Sequence, residues 1–203
     1  MSDISHQLDE IAQLLTARKS DLEQIRNHLK QLSNDTSTVV DLIPSLYDVN
    51  HRGYEQVIGL LEQCVRNHVE ISEKINSVKQ ILFNNEENYL MKWRRLQQLE
   101  SNGVPFPNKT SDLNKIQAFA ELLASSLLNH RQQLLELNQE TNRLPFLFNN
   151  KRIVDLYDQQ TELFRDIVNQ SLIIDNQPKQ LMKKGINFVI TARFLIGKVL
   201  GRK

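Results

Sequence analysis

The sequence predicts an all-α protein, an elongated antiparallel four-helix coiled-coil bundle, followed by a short β-strand-like basic tail. Glycine and proline are scarce, six and five in 203 residues, so few turns interrupt the chain. Apolar residues recur in alternating steps of four and three, the heptad seam of helices that pack side by side. Near the carboxyl end the apolar residues instead alternate with a period of two, which is typical of a strand.

The first predicted helix is defined by a seam that runs from Ile4 to Leu46 and is polar only at Arg18 and Thr36. Its other positions are Leu8, Ile11, Leu15, Leu22, Ile25, Leu29, Leu32, Val39 and Ile43. Pro44 cannot donate a backbone hydrogen bond to the preceding turn, so we expect this helix to end or kink just before it.

The second predicted helix begins beyond Gly53 and runs as one piece to Asn102. Its seam is Val57, Leu61, Cys64, His68, Ile71, Ile75, Val78, Leu82, Asn85, Tyr89, Leu96 and Leu99. Gly103 favours the left-handed conformation that ends a helix, and the following prolines prevent the helix from resuming.

Two more helices are predicted beyond this turn. Thr110, Ser111 and Asp112 are candidate N-caps for the third. Its seam is Leu113, Ile116, Ala120, Leu123, Leu127, His130, Leu134 and Leu137. A shorter fourth helix follows residues 144–151, with Ile153, Leu156, Leu163 and Ile167 on one face. The short connections make sequential helices antiparallel neighbours in a bundle.

The tail is the part of the chain with the strongest charge bias. After Asp175 there is no acidic residue but there are seven lysines and arginines, although the net charge of the chain is only +1. Residues 186–196 alternate as a strand does, and a helical interpretation stays open because Asn187, Thr191 and Lys198 would lie near one face. As an unpaired strand, the tail would self-associate unless it folds back onto the bundle.

The sequence lacks the residue patterns that several classes of function require. The five histidines are scattered without metal-ligand spacing, and no phosphate loop or nucleophile motif is present. We therefore expect no enzyme, cofactor or metal, and we interpret His68 and His130 as a hydrogen-bonded polar layer of the bundle. The single Cys64, with no visible signal peptide or membrane span, predicts a reducing compartment.

The candidate partner-binding patch is Trp93, Arg94 and Arg95, at the end of the second predicted helix. In one interpretation it is structural: Trp93 packs into the bundle while Lys92 and the two arginines reach into water. In the other it is a basic, aromatic-anchored surface for a protein partner, since tryptophan and arginine dominate interfaces. Composition leaves both interpretations open.

Four segments in order resemble the signal transducer and activator of transcription (STAT) family. Trp93-Arg94-Arg95-Leu96-Gln97-Gln98, followed by Gly103-Val104-Pro105, is similar to the junction between the second and third helices of its coiled-coil domain. AFAELLASSLLNHRQQLLEL resembles the third helix, and LFRDIVNQSLIIDNQPKQ the fourth helix and its exit. KKGINFVITARFLIGK resembles the start of the family's immunoglobulin-like DNA-binding domain.

The resemblance implies that residues 1–178 form the coiled-coil domain and residues 179–203 the truncated start of the DNA-binding domain. Residues 186–196 would then be its first strand. It implies a tyrosine-phosphorylation-activated transcription factor in cytokine-type signalling, located in cytoplasm and nucleus. This part would bind other proteins, such as transcription factors, receptors or transport factors, and DNA only through domains that lie outside it.

Two rival functions remain open at this point. One is a free-standing helical scaffold or adaptor. The other is a peripheral membrane-binding bundle, in which the basic, apolar tail lies as a helix in the membrane plane. A direct role of these residues in DNA binding would predict salt-dependent affinity.

Overall fold

The computed structural model describes residues 2–37, 45–84, 88–142, 149–176, 187 and 189–201. The helices are α1 (Ser2–Ser37), α2 (Ser45–Lys79), α3 (Tyr89–Ser101), α4 (Lys109–Thr141) and α5 (Lys151–Gln170). Two short strands follow, β1 (Leu172–Asn176) and β2 (Thr191–Phe194). The prediction of an all-α helical bundle is confirmed.

The heptad seams of α1 and α4 are buried as the sequence predicts. Every apolar seam residue of α1 from Ile4 to Leu29 is buried, as is every seam residue of α4 from Leu113 to Leu137. The polar seam residue Arg18 is partly exposed and pairs with Asp21 at 2.8 Å. The seam residues of the first predicted helix from Val39 to Ile43 lie outside the described residues.

The second predicted helix differs most from the structure. Helix α2 begins earlier, at Ser45, and a π-helical turn (Gln80–Asn84) closes it before α3 starts at Tyr89. Beyond this turn the buried positions are Leu90, Trp93 and Gln97, whereas the predicted seam residues Leu96 and Leu99 are exposed. Helix α3 starts anew after an extended N-cap residue, Asn88, so its buried stripe does not continue the seam of α2.

The end of α3 follows the sequence prediction closely. Gly103 has a φ of 94°, Gly103 N donates to Glu100 O at 2.9 Å, and Val104 N donates to Leu99 O at 3.0 Å. These two bonds are the Schellman arrangement that satisfies the last carbonyls of a helix. Helix α4 then begins at Lys109, earlier than the predicted caps at Thr110, Ser111 and Asp112, which all lie in its first turn.

The described residues divide into two compact units. Unit 2 comprises Ile11–Glu73 and Asn129–Gln160, and unit 1 comprises Met1–Glu10, Lys74–Leu128 and Thr161–Lys203. In unit 2, segments of α1, α2, α4 and α5 share one apolar core. The core residues are Leu22, Ile25, Leu29, Val57, Leu61, Cys64, Val65, Leu134, Leu137, Ile153 and Leu156. Arg26 of α1 also binds Glu140 and Glu136 of α4, at 2.8 and 3.1 Å.

The sheet belongs to unit 1. Strands β1 and β2 pair antiparallel, with Leu172 opposite Phe194 and Ile174 opposite Ala192. Strand β1 forms the exit from α5, and the sequence patterns did not predict a strand there. Its β-branched Ile173 and Ile174 fit a pleated surface, where Ile173 is buried and Ile174 is 45% exposed.

The described part of the tail contains one short paired strand. Residues 191–194 pair with β1, and the following Leu195 and Ile196 are fully buried, so both the unpaired strand and the helical tail are wrong for this segment. The predicted self-association required an unpaired strand, and this pairing removes that reason for it. Asn187, Val189 and Ile190 are exposed without strand structure, while Ile186 and Phe188 lie outside the described residues. Across the described helices, none combines the length and apolarity that crossing a membrane requires.

Candidate functional site

Helix α3 carries the sequence-predicted patch, and its start is fixed by Asn88. The Asn88 side chain accepts a hydrogen bond from Met91 N at 2.6 Å, so it acts as the N-cap of the helix. This cap restarts the helix after the π turn and sets which side chains face the core. Asn88 is not among the N-caps predicted from the sequence, although asparagine is among the most favoured residues at that position.

Trp93 lies on the buried face of α3. Only 2% of it is exposed, and its ring centroid lies 6.3 Å from that of Phe106 in a tilted arrangement. Its indole Nε1 donates to the carbonyl of Lys109, the first residue of α4, at 3.0 Å. Trp93 therefore fastens α3 to the start of α4 and is inaccessible to a partner in this structure.

The two arginines of the patch are placed differently from Trp93 and from each other. Arg94 is partly buried, and this burial lowers the pKa of its guanidinium. Its Nη1 lies 3.9 Å from the sulfur of Met91, a weak contact. Arg95 is exposed. The accessible positive charge of the patch is therefore mainly that of Arg95, while Trp93 is buried.

Gln97 has a structural role in this motif that the sequence patterns do not predict. It lies one turn after Trp93 on the same buried face and is 2% exposed. Its Nε2 donates to the carbonyls of Ile174 and Asp175 at 2.9 and 2.8 Å. Gln97 thus connects α3 to β1, and Arg193 of β2 binds Asp175 from the other strand at 2.8 Å.

We expect Gln97→Leu to lower the free energy of unfolding by about 1–3 kcal/mol, because two carbonyls of β1 lose their buried donor. The neighbouring Gln98 is exposed, so Gln98→Leu is the matched control, with an expected change within about 0.5 kcal/mol. Urea unfolding followed by circular dichroism measures both. Equal stability of the two variants would contradict the structural role of Gln97.

A second group of polar residues is buried in unit 2. His68 and His130 are fully buried, and their rings stack with centroids 5.2 Å apart. The predicted polar layer is present, but it is not hydrogen-bonded as expected: within the described residues, none of the four ring nitrogens has a partner of normal geometry. Nearby, Gln160 Nε2 donates to Ser72 Oγ at 2.6 Å.

The electrostatics of this layer favour neutral side chains. Burial lowers the pKa of His68 to about 3, with contributions from His130 and Arg18. Burial also lowers the pKa of His130 to about 4, against a smaller opposing effect of Gln160. Cys64, one turn before His68, has its pKa raised to about 12, mainly by burial, so its thiol stays protonated.

Among the described residues, no group of three or more histidine, cysteine or acidic side chains is arranged to hold a metal ion. The outer face of α3 is one surface of the described residues on which accessible polar and apolar groups lie side by side. It presents an exposed guanidinium, Arg95, next to exposed leucines. Such a surface can form contacts with another protein.

Comparisons with known proteins agree on one family. The family model described as "STAT transcription factor, coiled-coil domain" matches residues 50–168. The chain is 30% identical over 112 residues to a Drosophila melanogaster protein named signal transducer and transcription activator. It is 26% identical over 160 residues to signal transducer and activator of transcription 1 of Caenorhabditis briggsae.

These matches cover 55% and 72% of this chain but only 14% and 22% of the two relatives. The fold is similar to a chain in the crystal structure of STAT2 in complex with IRF9. The TM-score is 0.73 at 13% sequence identity, covering 84% of this chain and all of the other.

Proposed function

Since the chain belongs to the STAT family and contains its coiled-coil domain, we propose that it is the protein-interaction region of a transcription factor activated by tyrosine phosphorylation. The STAT coiled-coil domain is a non-enzymatic part of a signalling and transcription-factor family, and no catalytic function is indicated. In this proposal the chain binds partner proteins through its helix faces, while DNA binding belongs to other domains of a longer protein. The match of the family model over residues 50–168 is the observation that carries the proposal.

The fold similarity to STAT2 supports protein partners, because that chain was solved in complex with IRF9. A transcription factor that carries a cytokine-type signal works in both cytoplasm and nucleus, and we propose both locations here. We also propose that residues 1–178 are the coiled-coil domain and that residues 179–203 begin the DNA-binding domain. That boundary falls between β1 and β2, outside the described residues.

In this proposal, Trp93 has a different role from Arg94 and Arg95, the other two residues of the patch. Trp93 holds α3 in place by its contacts with Phe106 and Lys109. The arginines are then the side chains of the patch that reach a partner, with Arg95 the more accessible of the two.

The first test is the mass of the native protein, detected with an antibody against α4. We expect a species several times larger than the 23.7 kDa of this chain, because the chain spans 14% and 22% of its relatives. We further expect that species to gain phosphotyrosine and move to the nucleus when cytokine-type signalling is stimulated.

A native species of 23.7 kDa would instead support a free-standing helical adaptor. A large species whose location ignores tyrosine phosphorylation would remove the signalling part of the proposal and leave the coiled-coil assignment intact.

A further inference from the structure

We propose that the outer face of α3 docks an acidic amphipathic helix of a partner protein. The surface, called here the α3 stripe, consists of Lys92, Arg95, Leu96 and Leu99 together with Val104. This inference rests on the proposed function, that the chain binds proteins, and adds where the partner binds and what chemistry it carries.

The spacing of the α3 stripe makes it one continuous surface. Positions 92, 95, 96 and 99 are separated by three, one and three residues, so they lie along one face of the helix. Leu96 and Leu99 are 43% and 46% exposed. Val104 is 46% exposed, and its hydrogen bond to Leu99 O places it beside the end of this face.

The apolar part of the α3 stripe is not explained by packing within unit 1. Leu90, Trp93 and Gln97 already form the face with which α3 is buried. An amphipathic helix normally keeps its second face polar. Two leucines and a valine on that second face, next to cations, form the kind of apolar patch that a partner covers.

The charge of the α3 stripe indicates the sign of the partner. Helix α3 contains three basic residues and one acidic residue, Glu100. The Glu100 carboxylate is already paired with Lys109 Nζ, at 2.7 Å. Within the described part of the chain, Arg95 has no ion pair. A partner with carboxylates beside apolar side chains would complement this surface.

The geometry favours a helix over a strand or a nucleic acid. A helix surface offers no free backbone edge to which a strand could add. Nucleic acids are held mainly by phosphate contacts, for which exposed leucines supply nothing. A second helix can place apolar residues at its own seam against Leu96 and Leu99 and carboxylates against Arg95.

The α3 stripe is also held in place before any partner arrives. The bonds of Trp93 to Lys109 and of Gln97 to β1 fix the opposite face of the helix. A surface that needs no ordering on binding loses less conformational entropy.

The test uses the whole chain and a fluorescein-labelled synthetic peptide with leucines at heptad a and d positions and glutamates at most others. A peptide of the same composition in scrambled order is its control. We expect the heptad peptide to bind and the scrambled peptide to bind at least about tenfold more weakly in fluorescence anisotropy. Leu96→Asn and Arg95→Glu should each weaken binding by about tenfold.

Leu122→Asn is the matched control variant, because Leu122 on α4 is 53% exposed and lies outside the α3 stripe. Its affinity for the peptide should equal that of the unmodified chain. Circular dichroism verifies that all variants keep their helix content. Equal binding of both peptides, or equal affinity of the Leu96→Asn and Leu122→Asn variants, would overturn the assignment. Binding of labelled duplex DNA that depends on Arg95 but not on Leu96 would overturn it in favour of nucleic acid.

The same variants separate this inference from the proposed function. If partner proteins bind the unmodified chain and the Leu96→Asn variant equally in pull-down, the α3 stripe is not the docking site, but the proposed role in protein interaction stands. If the folded chain retains no partner at all, the proposed function itself fails.

Discussion

Replacing Trp93 by alanine is expected to cost about 3–5 kcal/mol of unfolding free energy, the usual loss for a large buried aromatic side chain. The residue is 2% exposed, contacts Phe106 and donates to Lys109 O. Alanine would leave a cavity at the junction of α3 and α4 and remove that hydrogen bond. The measurement is urea unfolding followed by circular dichroism, because Trp93 is the only tryptophan and the variant lacks its fluorescence.

Two further variants divide this effect into its parts. Trp93→Phe keeps most of the apolar ring and loses the hydrogen bond, so its expected cost is about 1 kcal/mol from the bond plus a smaller packing loss. Arg95→Ala is the control on the same helix, with an expected change within about 0.5 kcal/mol. If Trp93→Ala were no more destabilising than Arg95→Ala, the buried position of the indole would be incorrect.

This result decides how the patch has to be tested for binding. A variant with Trp93, Arg94 and Arg95 all replaced by alanine would lose partners through loss of structure at α3, whatever the arginines do. The informative variant is Arg94→Ala/Arg95→Ala, which keeps Trp93 in place. We expect it to stay folded and to bind partner protein more weakly.

The seams of α1 and α4 could be predicted because their heptad spacing continues without a break, from Ile4 to Leu29 and from Leu113 to Leu137. The seam of α2 is equally correct up to Leu82, where the π turn changes the number of residues per turn. Tyr89, Leu96 and Leu99 fit the old spacing by coincidence, and the core instead receives Leu90 and Trp93. Heptad counting carries no information about such a turn.

The role of Gln97 and the strand β1 could not be predicted from the sequence for a different reason. A glutamine next to another glutamine in a helix is normally a solvated residue, and only the placement of β1 against α3 gives Gln97 two carbonyls to bind. The segment of β1 follows α5 after a single residue, so its β-branched residues were interpreted as part of the helix exit. The role of Gln97 depends on contacts with residues 77 and 78 positions away. The strand β1 depends on pairing with β2, in which Leu172 lies opposite Phe194, and local patterns encode neither contact.

Lowering the pH from 7 to 5 is expected to destabilise the protein through His68 and His130. Both rings are fully buried and neutral, and their pKa values lie near 3 and 4 in the folded chain against 6.5 as the reference value. Above pH 6.5 the rings are neutral in the folded and the unfolded chain alike. Below pH 6.5 the unfolded chain takes up protons that the folded chain excludes, so stability falls as the pH falls.

At pH 5 the expected loss is about 2 kcal/mol for each ring, since one pKa unit corresponds to about 1.36 kcal/mol. The loss continues down to about pH 4 for His130 and to about pH 3 for His68. Carboxylates with lowered pKa, such as Glu136, contribute only below their reference value of 4.5. Among the described groups with a shifted pKa, the two buried histidines are therefore the ones that lower stability between pH 6.5 and 5. Urea unfolding at a series of pH values across this range measures the effect.

His68→Leu/His130→Leu removes both titrating rings and should flatten this pH dependence to less than about 1 kcal/mol, within the usual scatter of such comparisons. At pH 7 the same variant should be at least as stable as the unmodified chain. The reason is that the four buried ring nitrogens, none of which has a partner of normal geometry among the described residues, are replaced by apolar groups. His6→Gln is the matched control: His6 is exposed, and its loss should leave the acid sensitivity unchanged. If the double variant lost as much stability between pH 7 and 5 as the unmodified chain does, other groups would be responsible for the acid sensitivity.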